Sequence, residues 1–121
     1  TVNSLTNTTG STTSTPTQTL ASSDATVIVD TVAHGGDFKS IEYVVHMNDS
    51  DNNHSQLSKV LLTYNKTNVF YTEYGMVNSY TGDSDIGTLS ADVSGGNIRL
   101  KFARTAGIGT VAVKPVKTII S

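Results

Sequence analysis

The chain has 121 residues without a single cysteine or tryptophan, and charged residues make up only 15% of it. Without cysteine, the chain has no disulfide bond, no thiolate zinc site and no cysteine nucleophile. Small extracellular animal domains usually carry disulfides, so that class is disfavoured. The eight lysines and arginines are scattered and the formal net charge is −2, which argues against nucleic acid as a partner.

Long apolar stretches are missing as well. No run approaches the roughly 20 apolar residues that a membrane-spanning helix requires, so no membrane partner is predicted. The first residues lack the basic and then apolar order of a signal peptide. At this length we expect a single folded domain.

The first 24 residues are mostly threonine, serine and asparagine, with few apolar side chains. Such a block cannot offset its own ordering entropy by burying apolar surface. We therefore interpret residues 1–24 as an extended arm or linker and residues 25–121 as the folded domain. The arm either folds back on its own domain or adds a strand to another sheet. We predict that it docks on another subunit or on a neighbouring protein of the same assembly, with Leu5 and Leu20 as its anchors.

From residue 25 onward, short runs of alternating apolar and polar residues are separated by turns rich in glycine, asparagine and aspartate. About seven strands at such regular spacing predict an all-β fold, an antiparallel two-sheet β-sandwich. A jelly-roll arrangement of these strands stays open. The polar stretch at residues 49–55 is predicted to be a loop. The expected core consists of Ile41, Tyr43, Val45, Val60, Leu62, Leu89, Val93, Ile98, Leu100, Phe102, Val111 and Val113.

One acidic cluster is similar to the opening of a calcium-binding loop. Asp49, Asp51 and Asn53 place oxygen-bearing side chains at alternate positions. The similarity ends there, because His54 replaces the required glycine and Val60 replaces the bidentate glutamate. We therefore expect a hydrated polar loop and no metal or other cofactor.

The sequence offers little for catalysis. No Gly-x-Ser-x-Gly nucleophile elbow occurs, and no two of the three histidines have a spacing that would place two metal ligands on one strand face. We expect no catalytic residues and a chain that is not an enzyme.

Most of the aromatic residues fall in one predicted hairpin at residues 60–80. Alternation sends Tyr71 to the face opposite Phe70 and Tyr74, so one face is expected in the core and the other partly exposed. The exposed aromatic surface suits either a subunit contact or a sugar-stacking platform. We favour a subunit contact that involves Tyr71, because the chain has no tryptophan.

Two segments of the sequence resemble a known family. The first is Val-Leu-Leu-Thr-Tyr at residues 60–64, a polar turn, and Val-Phe-Tyr-Thr-Glu-Tyr-Gly at residues 69–75. The second is Ile-Gly-Thr-Leu at residues 86–89 with Ala-Asp-Val-Ser-Gly-Gly-Asn-Ile-Arg-Leu at residues 91–100. Both are similar to segments of virion structural proteins of large tailed bacteriophages, including marine cyanophages. Residues 26–30, 39–45 and 113–120 also fit this family, so the resemblance covers about residues 25–120. It implies a structural role without catalytic residues.

The resemblance implies a protein located in the virion, with other virion proteins as partners and assembly as a homo-oligomer. Capsid decoration (a cement protein) is the first expectation, ahead of a neck, tail or fibre component. The alternative is a receptor- or glycan-binding module of a tail or head fibre. Copy number in the particle separates these roles.

Overall fold

The computed structural model describes residues 10–14, 18–20, 26–79, 85–105 and 108–120. These residues form strands and turns and contain no helix, so none of them forms a helix able to cross a membrane. The strands are β1 (Gly10–Ser14), β2 (Gln18–Leu20), β3 (Thr26–Ala33), β4 (Lys39–Asp49), β5 (His54–Tyr64), β6 (Val69–Asn78), β7 (Gly87–Ser94), β8 (Asn97–Arg104) and β9 (Val111–Ile120).

Two antiparallel sheets make up the fold, which confirms the predicted all-β sandwich. The larger sheet has the order β1-β9-β4-β5-β6, and β2 also pairs with β9. The smaller sheet has the order β3-β8-β7. The smaller sheet covers the inner face of the larger one, with β7 beside β6 and β3 beside β9.

The connectivity is that of an immunoglobulin-type sandwich rather than the jelly roll that the sequence left open. Strands β3, β8 and β7 follow the B-E-D order of that fold, and β9, β4, β5 and β6 follow its F-C-C′-C″ order. The place beside strand F, where the last strand G of an immunoglobulin domain lies, is taken by β1 and β2. The first strands of the chain thus stand where the last strand is expected.

The core lies between the sheets and is built by period-two alternation. Along β4 the odd-numbered side chains from Ile41 to Asp49 are buried, and along β8 the buried ones are Ile98, Leu100 and Phe102. All twelve predicted core residues are buried except Val93, which is partly buried. The alternation of apolar residues was therefore a reliable guide to which face of each strand is covered.

The predicted loop at residues 49–55 is shorter than expected. Strand β4 runs through Asp49 and β5 begins at His54, so only four residues form the turn, with Asn53 at a positive φ of 53°. The start of β5 was not predicted because its first inward-facing side chains are polar. His54, Gln56 and Ser58 are buried at 3%, 1% and 0% exposure.

The prediction for the N-terminal arm is corrected in its described parts. Residues 10–14 and 18–20 pair antiparallel with β9 of the same chain, with Gly10 opposite Ile120 and Leu20 opposite Val111. They therefore extend their own sheet, which is the alternative that the sequence left open. The physical reason is that β9 leaves a long edge of backbone groups to be paired, and a tethered segment reaches it at a high effective concentration. Leu5 lies outside the described residues.

Candidate interaction surface

Strand β6 is the last strand of the larger sheet among the described residues, and a tight hairpin connects it to β5. Asn65 shapes this hairpin, because its side-chain oxygen accepts hydrogen bonds from the backbone N–H groups of Thr67 and Asn68 at 3.1 and 2.8 Å. The ladder is regular from Val69 to Tyr74 and then shifts register beside Gly75, whose φ is +64°. This bulge ends the straight part of the strand.

The outer face of β5 and β6 carries a shallow apolar groove of about 430 Å³. Thr63 lies opposite Phe70 and Leu61 lies opposite Thr72, and Ile120 of β9 also lines the groove. Phe70, Leu61 and Ile120 are 55%, 46% and 59% exposed, respectively. An apolar surface with these exposed fractions is typical of a contact site.

Tyr71 and Glu73 point to the inner side of β6, where they stand at the rim of the core. Tyr71 lies opposite the buried Leu62 yet remains 44% exposed, because no strand among the described residues pairs with the other side of β6. Glu73 bridges the two sheets, since its Oε1 accepts a hydrogen bond from the backbone N–H of Leu89 at 3.0 Å. Its Oε2 is buried without a hydrogen-bond partner among the described residues. Glu73 Oε2 is therefore a buried acceptor at this edge that a donor from outside the described residues could bond.

The acidic cluster considered as a calcium loop has a structural task. Asp49 Oδ2 accepts hydrogen bonds from the Gly109 N–H at 3.1 Å and the Asn52 side chain at 2.6 Å, and Asp49 Oδ1 accepts one from the Asp51 N–H. Asp51 Oδ2 in turn accepts a hydrogen bond from the backbone N–H of Thr110 at 2.7 Å. The two carboxylates therefore tie the β4–β5 turn to the segment that leads into β9.

The same contacts set the protonation of Asp49. Desolvation by burial acts to raise the pKa of this carboxyl, but hydrogen bonds from the Asn52 side chain and from the backbone N–H groups of Gly109, Asp51 and Asn52 outweigh it. The pKa of Asp49 is therefore lowered from its usual value. Asn53 occupies the exposed turn itself, and the described residues contain no group of three acidic or histidine side chains arranged to hold a metal ion.

A buried polar triad joins the sheets on the other side of the sandwich. The Lys117 ammonium lies 3.0 Å from Asp30 Oδ2, and the Tyr43 hydroxyl donates to the same oxygen at 2.7 Å. Both charged side chains are nearly covered, at 12% and 6% exposure. Burial, followed by the charge and hydrogen bond of Asp30, raises the pKa of Tyr43 well above its usual value. A bulge between Ile28 and Asp30 turns the aspartate inward.

The structure separates the residues that the sequence singled out. Asp49 and Asp51 meet the backbone at residues 109–110, whereas Tyr71 lies at the free edge of β6 and Leu20 lies in β2. Sequence reasoning missed Leu61, Ile120 and Glu73. Alternation already placed Leu61 on the face opposite Val60 and Leu62, but only the pairing of strands brings it together with Phe70 and Ile120 in one groove.

The comparisons with known proteins bear on the fold. No family model and no curated protein matches the chain. Among solved structures, the chain is similar to the tailspike protein of Acinetobacter baumannii phage AM24, with a TM-score of 0.57 and 14% sequence identity. The similarity covers 93% of this chain and 26% of the tailspike chain. The chain thus spans about a quarter of that protein, and the likeness is one of fold.

Proposed function

We propose that this chain is a non-enzymatic structural module of a bacteriophage particle. The observation that carries the proposal is the fold shared with a portion of a phage tailspike, which covers nearly the whole of this chain. The resemblance of residues 60–75 and 86–100 to virion structural proteins supports it independently. A shared fold alone does not specify a function, which depends on the side chains that the surface presents.

The polar groups of the interior serve to hold the module together. The Gln56 side chain accepts the Ile86 N–H at 2.7 Å and donates to the Gly87 carbonyl at 3.3 Å, so its amide joins the two sheets. Asp49 and Asp30 are likewise engaged in structural contacts. What the module offers to partners is the exposed apolar surface of β5 and β6. That distribution suits assembly through surface contacts better than chemistry in a pocket.

A tail component is our preferred position in the particle. The sequence favoured capsid decoration, but the fold is similar to that of a phage tailspike protein, and no observation on the described residues favours the shell. A domain that matches a quarter of a larger tail protein is suited to act as one module in a series. Its partners are then neighbouring virion proteins, including copies of itself.

A receptor- or glycan-binding module of a fibre is the second candidate, favoured by the chemistry of the groove. Phe70 offers an aromatic face there, with the hydroxyls of Ser40 and Thr63 and the carboxylate of Glu42 beside it. An aromatic surface next to hydroxyl and carboxylate groups can stack against a sugar ring and hydrogen-bond its hydroxyls.

The test is quantitative mass spectrometry of purified particles, combined with immunogold labelling of the chain. Low copy number with label on the tail supports the tail component, whereas copy number near that of the shell protein supports decoration. Binding of the isolated chain to host cells or glycans, lost in Phe70→Ala and kept in Phe38→Ala, favours the second candidate. Phe38 is a suitable control because it is 61% exposed and does not line the groove. Absence of the chain from particles overturns the proposal.

A further inference from the structure

We propose that two copies of this chain pair through the free edges of their β6 strands, antiparallel about a twofold axis that passes through Thr72. The pairing deepens the proposed function, on which it rests for its biological setting, by naming one partner of the interaction surface: a second copy. It joins the two larger sheets into one continuous sheet. Three features support this pairing: the edge of β6, the register that its regular segment allows, and the buried acceptor Glu73 Oε2.

The edge is open to pairing. Strand β6 spans ten residues and contains no lysine, arginine or proline, which are the residues that natural edge strands use to prevent pairing. Its single charged side chain, Glu73, accepts a hydrogen bond from the backbone N–H of Leu89 in the smaller sheet, and the bulge at Gly75 confines any pairing to the segment from Val69 to Tyr74. No strand among the described residues pairs with the other side of β6, so the backbone groups along this regular segment are available to a partner strand.

The proposed register follows from the extent of the regular ladder and from the need to keep the two Glu73 carboxylates apart. The ladder with β5 is regular from Val69 to Tyr74, and Gly75 introduces the bulge, so a paired segment is centred near Thr72. A twofold axis through Thr72 places Phe70 of each subunit opposite Tyr74 of the partner subunit, so the pair occurs once on each side of the axis. Aromatic side chains directly opposite each other are a favourable cross-strand pair. An axis through Glu73 instead would place two carboxylates against each other.

The same register fills the unpaired acceptor. Tyr71 of the partner subunit comes to lie opposite Glu73, and both side chains are on the inner side of the strand. Tyr71 is 44% exposed, and its hydroxyl is a hydrogen-bond donor. Glu73 Oε2 is buried and lacks a partner among the described residues. A buried acceptor without a hydrogen-bond partner costs free energy in the monomer. A hydrogen bond from the tyrosine O–H of the second copy would remove that cost in each subunit.

The first experiment measures association of the isolated chain by analytical ultracentrifugation over a range of concentrations. We expect a reversible monomer–dimer equilibrium. Tyr71→Phe removes the two symmetry-related hydroxyls and should weaken the dimer roughly tenfold or more, because hydrogen bonds to charged groups are the stronger ones. Tyr74→Leu tests the aromatic pair in the same way. A chain that stays monomeric, or a dimer unaffected by Tyr71→Phe, overturns the proposal.

The second experiment tests the register directly, using the absence of cysteine from the natural chain. Thr72→Cys should form a covalent dimer on mild oxidation, since each Thr72 faces its own copy across the axis. Thr31→Cys is the matched control, because Thr31 is an exposed threonine in β3, on the side of the sandwich away from β6. A mixture of Phe70→Cys and Tyr74→Cys chains should cross-link, whereas each alone should not.

Equal cross-linking of Thr72→Cys and Thr31→Cys overturns the proposed axis. Both experiments use the isolated chain without phage particles. A failure of edge pairing therefore leaves the proposed virion role to its own test, and absence of the chain from particles leaves the dimer measurement unaffected.

Discussion

Lys117 lies opposite Tyr43 in the pairing of β9 with β4, and both side chains reach Asp30 on the smaller sheet. In the immunoglobulin fold, the disulfide that joins strands B and F packs against a tryptophan on strand C. Here β3, β9 and β4 occupy those three strand positions. The ion pair and the tyrosine thus provide an inter-sheet connection in the region where that fold has its disulfide and tryptophan.

Lys117→Met is expected to lower the free energy of unfolding by roughly 3–5 kcal/mol, because it leaves the Asp30 carboxylate buried without its countercharge. The triple variant Asp30→Leu, Lys117→Met, Tyr43→Phe removes every polar member and should recover most of that loss. Chemical denaturation of the three proteins checks this. If the triple variant is less stable than Lys117→Met, the polar triad is not an isolated unit and our interpretation fails.

The lowered pKa of Asp49 predicts how the stability of the protein changes at acidic pH. Its pKa is lowered in the folded protein, so its hydrogen bonds contribute stability above the ordinary aspartate pKa of about 4, and that contribution is lost as the pH falls through the folded value. Asp49→Asn should be less stable at neutral pH, because an amide cannot accept as many N–H donors. Its stability should also fall less steeply below about pH 4. The test is the melting temperature of both proteins from pH 2 to pH 7. If the two melting temperatures fall in parallel as the pH is lowered, this assignment is contradicted.

At the scale of strands, β9 holds the sheet together on one side because it pairs with β4 along one edge and with β1 and β2 along the other. Deleting residues 1–20 uncovers the second edge of β9. We expect a loss of at least about 1 kcal/mol, which corresponds to a fall in melting temperature of roughly 4–8 °C, and a greater tendency to aggregate.

Deletion of residues 1–9 is the matched control for this experiment, since it leaves β1 and β2 in the chain. Differential scanning calorimetry distinguishes the two truncations. An unchanged melting temperature after removal of residues 1–20 argues that the paired arm contributes nothing to the isolated module.

The strands differ in how far the sequence could predict them. Strands β4 and β8 were predictable because apolar side chains alternate strictly along them. The arm strands were not, since threonine, serine and glycine give no pattern that distinguishes a paired strand from a linker. The inter-sheet contact of Asp30 with Lys117 joins positions 87 residues apart, and only the strand order brings them together. The groove and the unfilled acceptor of Glu73 depend on which strand is at the edge, which periodicity does not reveal.

At the scale of the whole molecule, polar contacts connect the two sheets at separate places. Gln56 binds the backbone at Ile86, Glu73 binds the backbone of Leu89, and Lys117 binds Asp30. Together with the shared apolar core, these contacts predict that the sheets unfold together in one transition. Circular dichroism and tyrosine fluorescence should give the same midpoint in urea. Two separate midpoints show that one sheet survives without the other.

The ionic connection between β3 and β9 has a consequence for the redox conditions under which the fold can form. A sandwich held by a disulfide needs an oxidant to complete it, and reducing compartments keep thiols apart. The contact of Lys117 with Asp30 forms as soon as the strands meet, and it is indifferent to glutathione and thioredoxin. The fold is therefore expected to form equally under reducing and oxidising conditions, because no contact in it depends on the redox state of a thiol.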